Sequence, residues 1–282
     1  MPNKLIEELI DLAIREDIGD GDHTSFACIP KSARGKAHLL VKEEGLIAGC
    51  DIAEIVFKKI DPDIEFDKKI ENGTRVFPGN IVFYVSGKVH SLLQAERLVL
   101  NIMQRMSGIA TQTNKYAEKL KGLKTKVLDT RKTTPGMRLL DKQAVKTGGG
   151  ENHRIGLYDM ILIKDNHIDF AGSIENAIAR TKKYLADNNK DLKIEIEARS
   201  IDDIITILKT GGIDRIMLDN FTIKETKTAV ELIDGRFETE SSGGISLEAL
   251  RDYAECGVDY ISVGALTHQI KSIDLSLKAI DF

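Results

Sequence analysis

KIEIEARSIDDIITILKTGGIDRIMLD, residues 193–219, holds one complete unit of the fold. KIEIE (193–197) alternates charge with isoleucine at the two-residue period of a strand. Ser200 to Asp203 then reads as a capping box, opening a helix whose apolar face is Ile201, Ile204, Ile205 and Leu208. Gly211-Gly212 stops that helix, and RIMLD (215–219) is the next strand. A strand, a helix and a second strand in so short a span make a βαβ unit, whose strands run parallel.

The same rhythm extends both ways. Strands are predicted at KVLD (126–129), DMILI (159–163), RFETE (236–240) and VDYISV (258–263), with helices over 173–186 and 246–255. No GxGxxG follows the first strand, which argues against a dinucleotide-binding domain. The expected fold is α/β: an N-terminal α+β sandwich domain followed by an incomplete (β/α) barrel of about six or seven parallel strands. Upstream, residues 4–16 put Leu5, Leu9, Leu12 and Ala13 on one helical face, ending at IGDGD (18–22). KAHLLV (36–41) and the two short runs of TRVFPGNIVFYVSG (74–87) are strands; 51–60 and the stretch from Ser91 to about 120 are helices. This first half reads as an α+β layer of structural or subunit-packing role.

Composition narrows the function classes. The 282 residues are 42% hydrophobic and 30% charged, with a formal charge of −4, which is ordinary for a globular chain and unsuited to general nucleic-acid binding. No apolar run reaches membrane-spanning length, and the first twenty residues mix acids through an amphipathic pattern, so a cytoplasmic protein is expected. Cys28, Cys50 and Cys256 are too scattered for a disulfide framework or a zinc knuckle.

Barrel chemistry gathers at the C-terminal ends of strands. Here those ends read Asp129-Thr-Arg131-Lys132, Lys164-Asp165-Asn166-His167, Glu195 with Glu197, Asp219-Asn220, Glu240-Ser-Ser242-Gly243-Gly244 and Gly264-Ala265. Any one polar strand end is more simply a loop. Six in succession suggest a site. In KIEIE the isoleucines should meet the helices, sending Glu195 and Glu197 inward, where buried carboxylates need Arg131, Lys132, Arg138, Lys164 or a divalent cation such as Mg²⁺. A structural ion pair accounts for at least one of the two.

From Asp129 to Lys164 the chain carries seven Lys/Arg (131, 132, 138, 142, 146, 154, 164) against four acids, a basic pocket on an acidic protein. A solvated loop is the plainer reading, but Gly148-Gly149-Gly150 implies close backbone approach. Arginines there suit a di-acid or a phosphate ester. Ser242-Gly243-Gly244 and Gly264-Ala265, each expected to lead into a helix, would cradle a phosphate. His153 and His167 gain weight only from their basic neighbours.

At these residues the chain resembles the quinolinate phosphoribosyltransferase family. The matching stretches are EDIGDGDHTS (16–25), ERLVLNIMQRMSGIATQT (96–113), DTRKTTPGMR (129–138), KTGGGENHRIGLYDMILIKDNHI (146–168), IEIE (194–197), MLDNF (217–221), ESSGGI (240–245) and GVDYISVGALTH (257–268). The resemblance implies transfer of phosphoribose from phosphoribosyl pyrophosphate to quinolinate with decarboxylation, giving nicotinate mononucleotide, pyrophosphate and CO₂. It also implies a sandwich and dimerisation domain over 1–110, a catalytic barrel over 111–266 and a tail 267–282 packing back on the first domain. It assigns quinolinate to Thr130, Arg131, Lys132, His153, Arg154 and Lys164, joined by Arg97 lent across a homodimer, or a hexamer of dimers. It assigns phosphoribosyl pyrophosphate to Glu197, Asp219, Ser242, Gly243, Gly244, Val263, Gly264 and Ala265. Lys132, Lys164, Glu197 and Asp219 would be catalytic, and Mg²⁺ would be held near Glu197 and Asp219 through substrate and water. Gln143 stands where an aromatic is common, and the acidic strand continues as Ala198-Arg199. Rival readings are a related phosphoribosyltransferase-like protein associated with molybdenum transport, a Schiff-base aldolase using Lys164, and a non-catalytic quinolinate or phosphate-ligand sensor. The intact IKDNHI run (163–168) and the retained Glu197 and Asp219 favour the quinolinate reading.

Overall fold

A computed structural model describes residues 4–280, in two compact units. Met1–Asn3 and Asp281–Phe282, the outermost residues of the expected domain spans, lie outside the described residues. The first unit takes the described residues up to Asn114, then Thr133–Gly149, then those from Leu266 on; the second takes Lys115–Lys132 and Gly150–Ala265. Thr133–Gly149, which the sequence reading counted within the barrel span, therefore groups with the first unit.

The chain opens with helices α1 (Lys4–Ile18) and α2 (His23–Cys28), strands β1 (Arg34–Val41) and β2 (Gly45–Leu46), and helix α3 (Cys50–Ile60). Strands β3 (Glu65–Lys68), β4 (Arg75–Val76) and β5 (Ile81–Lys88) lead into the long helix α4 (Val89–Lys119). Then follow β6 (Lys126–Leu128), α5 (Arg138–Thr147), β7 (Ile161–Ile163), α6 (Asp165–Ala171) and α7 (Ile174–Asp187). The remaining barrel elements are β8 (Ile194–Ala198), α8 (Ile201–Thr210), β9 (Arg215–Asp219), α9 (Ile223–Ile233), β10 (Glu238–Ser242), α10 (Leu250–Glu255) and β11 (Tyr260–Ser262). Helix α11 (Ala265–His268) and strand β12 (Leu275–Ile280) end the described chain.

In the first unit an antiparallel sheet runs in the order β12-β1-β5-β3. The tail strand β12 closes one edge, pairing Leu275 with Val41 and Ile280 with Lys36. Alternation along β1 buries Ala37, Leu39 and Val41, and Phe57 of α3 meets Phe83 of β5 edge-on at 6.0 Å. Buried Asp141 on α5 accepts two 2.8 Å bonds from the Arg105 guanidinium on α4, a bidentate pair that fixes the two helices. Gly148 lets α5 end against α4: a Cβ there would strike the Ala110 carbonyl and Thr113. Its close approach serves helix packing rather than a ligand. Gln143 donates to Asp51 at 2.7 Å, a polar bond that an aromatic side chain at this position would lack.

The second unit is a six-stranded parallel sheet in the order β6-β11-β10-β9-β8-β7. Each strand from β7 to β11 lies beside its successor, and β11 pairs with β6. Closing a barrel would require β6 to pair with β7, and these are the two edges. The long crossover leaves there, and on its return Glu151 bridges Leu128 in parallel fashion, adding a seventh, rudimentary position beside β6. All five residues of β8 are buried, as expected for a parallel strand covered on both faces. The βαβ unit forms as read: Ser200 accepts the Asp203 N–H at 3.1 Å and α8 ends at Gly211. The returning bond differs, since Asp203 accepts the N–H of Arg199 rather than that of Ser200. Among the described residues no helix is long and apolar enough to cross a membrane.

Candidate active site

Every predicted site residue except Arg97 belongs to the barrel unit. Parallel strands bring their C-terminal ends to one side, so Asp129–Lys132, Lys164, Glu197, Asp219, Ser242–Gly244 and Val263–Ala265 leave the sheet there. Arg97 is exposed on α4, in the first unit. Of the seven cations counted in the crossover, Arg138, Lys142 and Lys146 also lie in the first unit, and Lys142 is buried at 1% exposure. The stretch is therefore not one basic loop.

The cationic end is built from two turns. Thr130 Oγ1 accepts the Lys132 N–H at 3.0 Å, and Arg131 and Lys132 are both exposed beyond β6. Downstream, Asp159 accepts the N–H groups of Ile155 at 2.7 Å and Gly156 at 2.8 Å, curling the chain so that Arg154 Nη1 donates to the Met160 carbonyl at 3.2 Å. Burial, and then the neighbouring Arg131 charge, hold the Arg154 guanidinium below its ordinary value. Two like charges kept within reach of one another make a ready seat for an anion. At β7 the Lys164 N–H donates to His167 Nδ1 at 2.9 Å, so His167 caps the start of α6. A cavity of about 380 Å³ beside β7 is lined by Arg154, Met160, Ile163, His167 and Arg180 among others; it includes neither Glu197 nor Asp219.

The acidic end is different. Burial first, and then the Asp219 charge, raise Glu197 to about 6, with Lys164 pulling the other way. Glu197, Asp219 and Lys164 thus share one electrostatic neighbourhood. Asn220 organises it from the left-handed region at φ 57°: its Nδ2 donates to Asp219 at 2.6 Å and its N–H donates to the Ser242 carbonyl at 2.9 Å. Gly243, at φ 106°, packs so closely on Asn220 that a Cβ would collide with it. The acid pair and the glycine turn are one interlocked assembly. One expectation needs correction: α10 starts only at Leu250, so Gly243-Gly244 does not open it. Any anion there would meet main-chain N–H groups of the turn rather than a helix terminus. Val263 extends the barrel pairing through its N–H to the Leu128 carbonyl at 2.9 Å, which sets Gly264 and Ala265 beyond β11.

Beneath these two ends lies a buried charge cluster. His153 Nε2 is 2.9 Å from Glu195 and 3.4 Å from Glu240, and both carboxylates are completely buried. Arg215 reaches Glu240 at 3.2 Å and Glu238 at 3.0 Å and stacks on the Tyr260 ring at 4.0 Å. The inward Glu195 therefore meets His153, with Arg215 as its cross-strand neighbour, and His153 turns its ring into the barrel. Sequence reading missed Arg215. Its signal was the alternation of RIMLD, which sets Arg215 and Asp219 on one face exactly two pleats apart.

The family model of the quinolinate phosphoribosyl transferase N-terminal domain matches residues 22–107, and that of the C-terminal domain matches 109–278. A decarboxylating quinolinate phosphoribosyltransferase 1 from Nicotiana glauca is 44% identical, covering 98% of this chain and 83% of its own. A probable carboxylating nicotinate-nucleotide pyrophosphorylase from Bacillus subtilis is 39% identical over 96% of this chain and 92% of its own. Among solved structures, NadC from Streptococcus pyogenes superposes with a TM-score of 0.93 at 37% identity, covering all of this chain and 99% of that one.

The cluster also makes stability depend on pH. The two carboxylates and Arg215 surround His153 from β8, β10 and β9, and Asp129 accepts its N–H from the end of β6. Burial lowers the ring's affinity for protons, but Glu195 and Glu240 outweigh it and raise His153 to about 9; burial and Glu240 raise Glu195 to about 7. Both shifts are upward, so the folded protein retains a proton that the unfolded chain has released. That stabilisation is present below the unfolded-state values and is lost as pH rises through 7 to 9. We expect the urea midpoint to fall between pH 6.5 and 9, and the fall to flatten in Glu240→Gln; an unchanged slope in that variant would contradict the assignment.

Proposed function

The chain belongs to the quinolinate phosphoribosyltransferase family, and from that membership we propose how its residues divide the work of the reaction. The protein transfers phosphoribose from phosphoribosyl pyrophosphate to quinolinate with decarboxylation, giving nicotinate mononucleotide, pyrophosphate and CO₂, a step in NAD biosynthesis. The observation that carries the division is the separation of charge around the strand ends, with Arg131 beside Arg154 and Glu197 beside Asp219 and Lys164.

Quinolinate is a dianion with its two carboxylates on adjacent ring carbons. In our reading Arg131 and Arg154 clamp it, with Thr130, Lys132 and Lys164 around them, and the repulsion between the two guanidiniums is relieved as it binds. Clamping at two points fixes the ring nitrogen relative to the ribose carbon and removes much of the entropic barrier. His153 sits at the back of this clamp. The turn of Ser242, Gly243 and Gly244, with Val263, Gly264 and Ala265, takes the 5-phosphate. Glu197 and Asp219 face the ribose, whose anomeric carbon gains positive charge as the bond to pyrophosphate breaks, and their negative charge stabilises that state.

The acid pair also suits Mg²⁺: a buried carboxylate raised to about 6 by burial and by its neighbour's charge is relieved by a divalent cation. When bound with the substrate and water, the metal would neutralise pyrophosphate oxygens. After transfer the ring nitrogen is cationic, so the electron pair left at carbon 2 by departing CO₂ lies beside positive charge, supplemented by the clamp and Lys164.

Arg97 completes the clamp from a second copy of the chain in our reading, which makes the working unit a homodimer or a hexamer of dimers. Its exposure on α4, one turn beyond the exposed apolar Leu93, supports a face covered by another subunit. We place the protein in the cytoplasm, since its three cysteines are free thiols suited to a reducing compartment.

Purified protein given quinolinate, phosphoribosyl pyrophosphate and Mg²⁺ is expected to form nicotinate mononucleotide. Arg131→Ala and Lys164→Ala should each lower that activity by at least a hundredfold with an unchanged circular dichroism spectrum; near-normal turnover in either would refute its role. Arg97→Ala and Arg154→Ala should each be inactive alone yet recover up to about a quarter of wild-type activity once mixed and re-equilibrated, because one mixed site in two is then intact. No recovery would show that Arg97 does not act across subunits.

A further inference from the structure

Glu195, Glu240 and Arg215 face the barrel interior from three successive strands, and the reaction as derived uses none of them. Their register is built in: Glu195 lies opposite Arg215, and Arg215 lies opposite Glu238, one pleat before Glu240. Burying two carboxylates is expensive, and as stabilisation alone an apolar trio of similar volume would serve the core as well or better. The arrangement repays its cost in orientation.

We propose that Glu195, Glu240 and Arg215 form a positioning platform that fixes His153, and through it the main chain of Arg154, at the quinolinate end of the site. This rests on the reading of Arg154 as a carboxylate clamp. The geometry leaves His153 little freedom. Its Nε2 faces Glu195 at 2.9 Å and Glu240 at 3.4 Å, its Nδ1 accepts the Arg154 N–H at 2.7 Å, and its own N–H donates to Asp129 at 2.9 Å. The ring thus links the barrel interior to the backbone from which the Arg154 side chain departs. Arg215 holds Glu240 in turn, while Glu238 and the Tyr260 ring hold Arg215. A displaced ring would release the Arg154 amide and let the guanidinium wander from Arg131, and a misplacement of that size weakens a clamp severely.

The platform touches no substrate in this scheme, so its signature is selective. Glu195→Gln and Glu240→Gln should each raise the KM for quinolinate about tenfold or more while the KM for phosphoribosyl pyrophosphate stays within about twofold, measured well below each variant's melting temperature. Melting that falls with both KM values unchanged would reduce the cluster to a structural ion pair and overturn the proposal, as would equal rises for both substrates. Arg154→Ala is the reference: if it turns over normally, the clamp reading itself fails, whereas its expected loss of activity beside Gln variants with normal KM values sinks the platform alone. Stoichiometric zinc or manganese in the purified wild type, lost in Glu195→Gln, would overturn it in favour of a metal centre. Should the variants fail to fold, ring ¹⁵N spectra of the wild type decide: the platform requires a proton on His153 Nε2 with and without quinolinate, and an unprotonated Nε2 contradicts it.

Discussion

Two guanidiniums, those of Arg131 and Arg154, are held within range of each other's charge, and the rest of the barrel unit makes that unfavourable pairing possible. One leaves the end of β6 and the other sits on the returning crossover, on either side of the Glu151 bridge to Leu128. The bridge exists because the sheet is open between β6 and β7, where a closed barrel would have a further hydrogen-bonded pair. The open seam is thus what lets a chain segment carrying Arg154 lie beside the segment carrying Arg131. In the proposed reading a bound dicarboxylate would turn that repulsion into attraction.

The interior beneath the mouth solves a related problem with opposite signs. Charges on the inward faces of β8, β9 and β10 cannot reach bulk water, and they compensate one another through His153 and Arg215. Farther toward the strand ends Glu197 and Asp219 act on one another's charge, and in the proposed reading a cationic ribose and a divalent metal would meet that negative charge. Neutrality inside and imbalance at the rim come from the same strands, one pleat apart on β8 and two on β9.

Much of this was legible in the chain. RIMLD marks β9 to the residue, and Ser200 with Gly211 brackets α8, because both signals are local: alternation for a strand, a side-chain cap and a left-handed stop for a helix. The inward turn of Glu195 and Glu197 followed from alternation too. Arg215 obeyed the same rule and was overlooked, since a single arginine at a strand start looks like a solvated end until its neighbours in the sheet are known. Gly148 misled for a distant reason: its tight neighbour, Ala110, is nearly forty residues away on another helix, and nothing local says which backbone approaches. Lys142 misled likewise, because counting charges along a crossover cannot reveal that the chain visits another unit and buries one of them. The glycine turn after β10 was found, but its helix starts later than pattern alone suggests.

Thermal unfolding with ligand tests the central claim most directly, since it senses the relief of repulsion without turnover. Quinolinate alone should raise the melting temperature by several degrees, nicotinate, with one carboxylate fewer, should raise it far less, and added salt should erode the difference. Equal stabilisation by both ligands, or none by quinolinate at low salt, would mean that the paired guanidiniums do not form a dicarboxylate clamp.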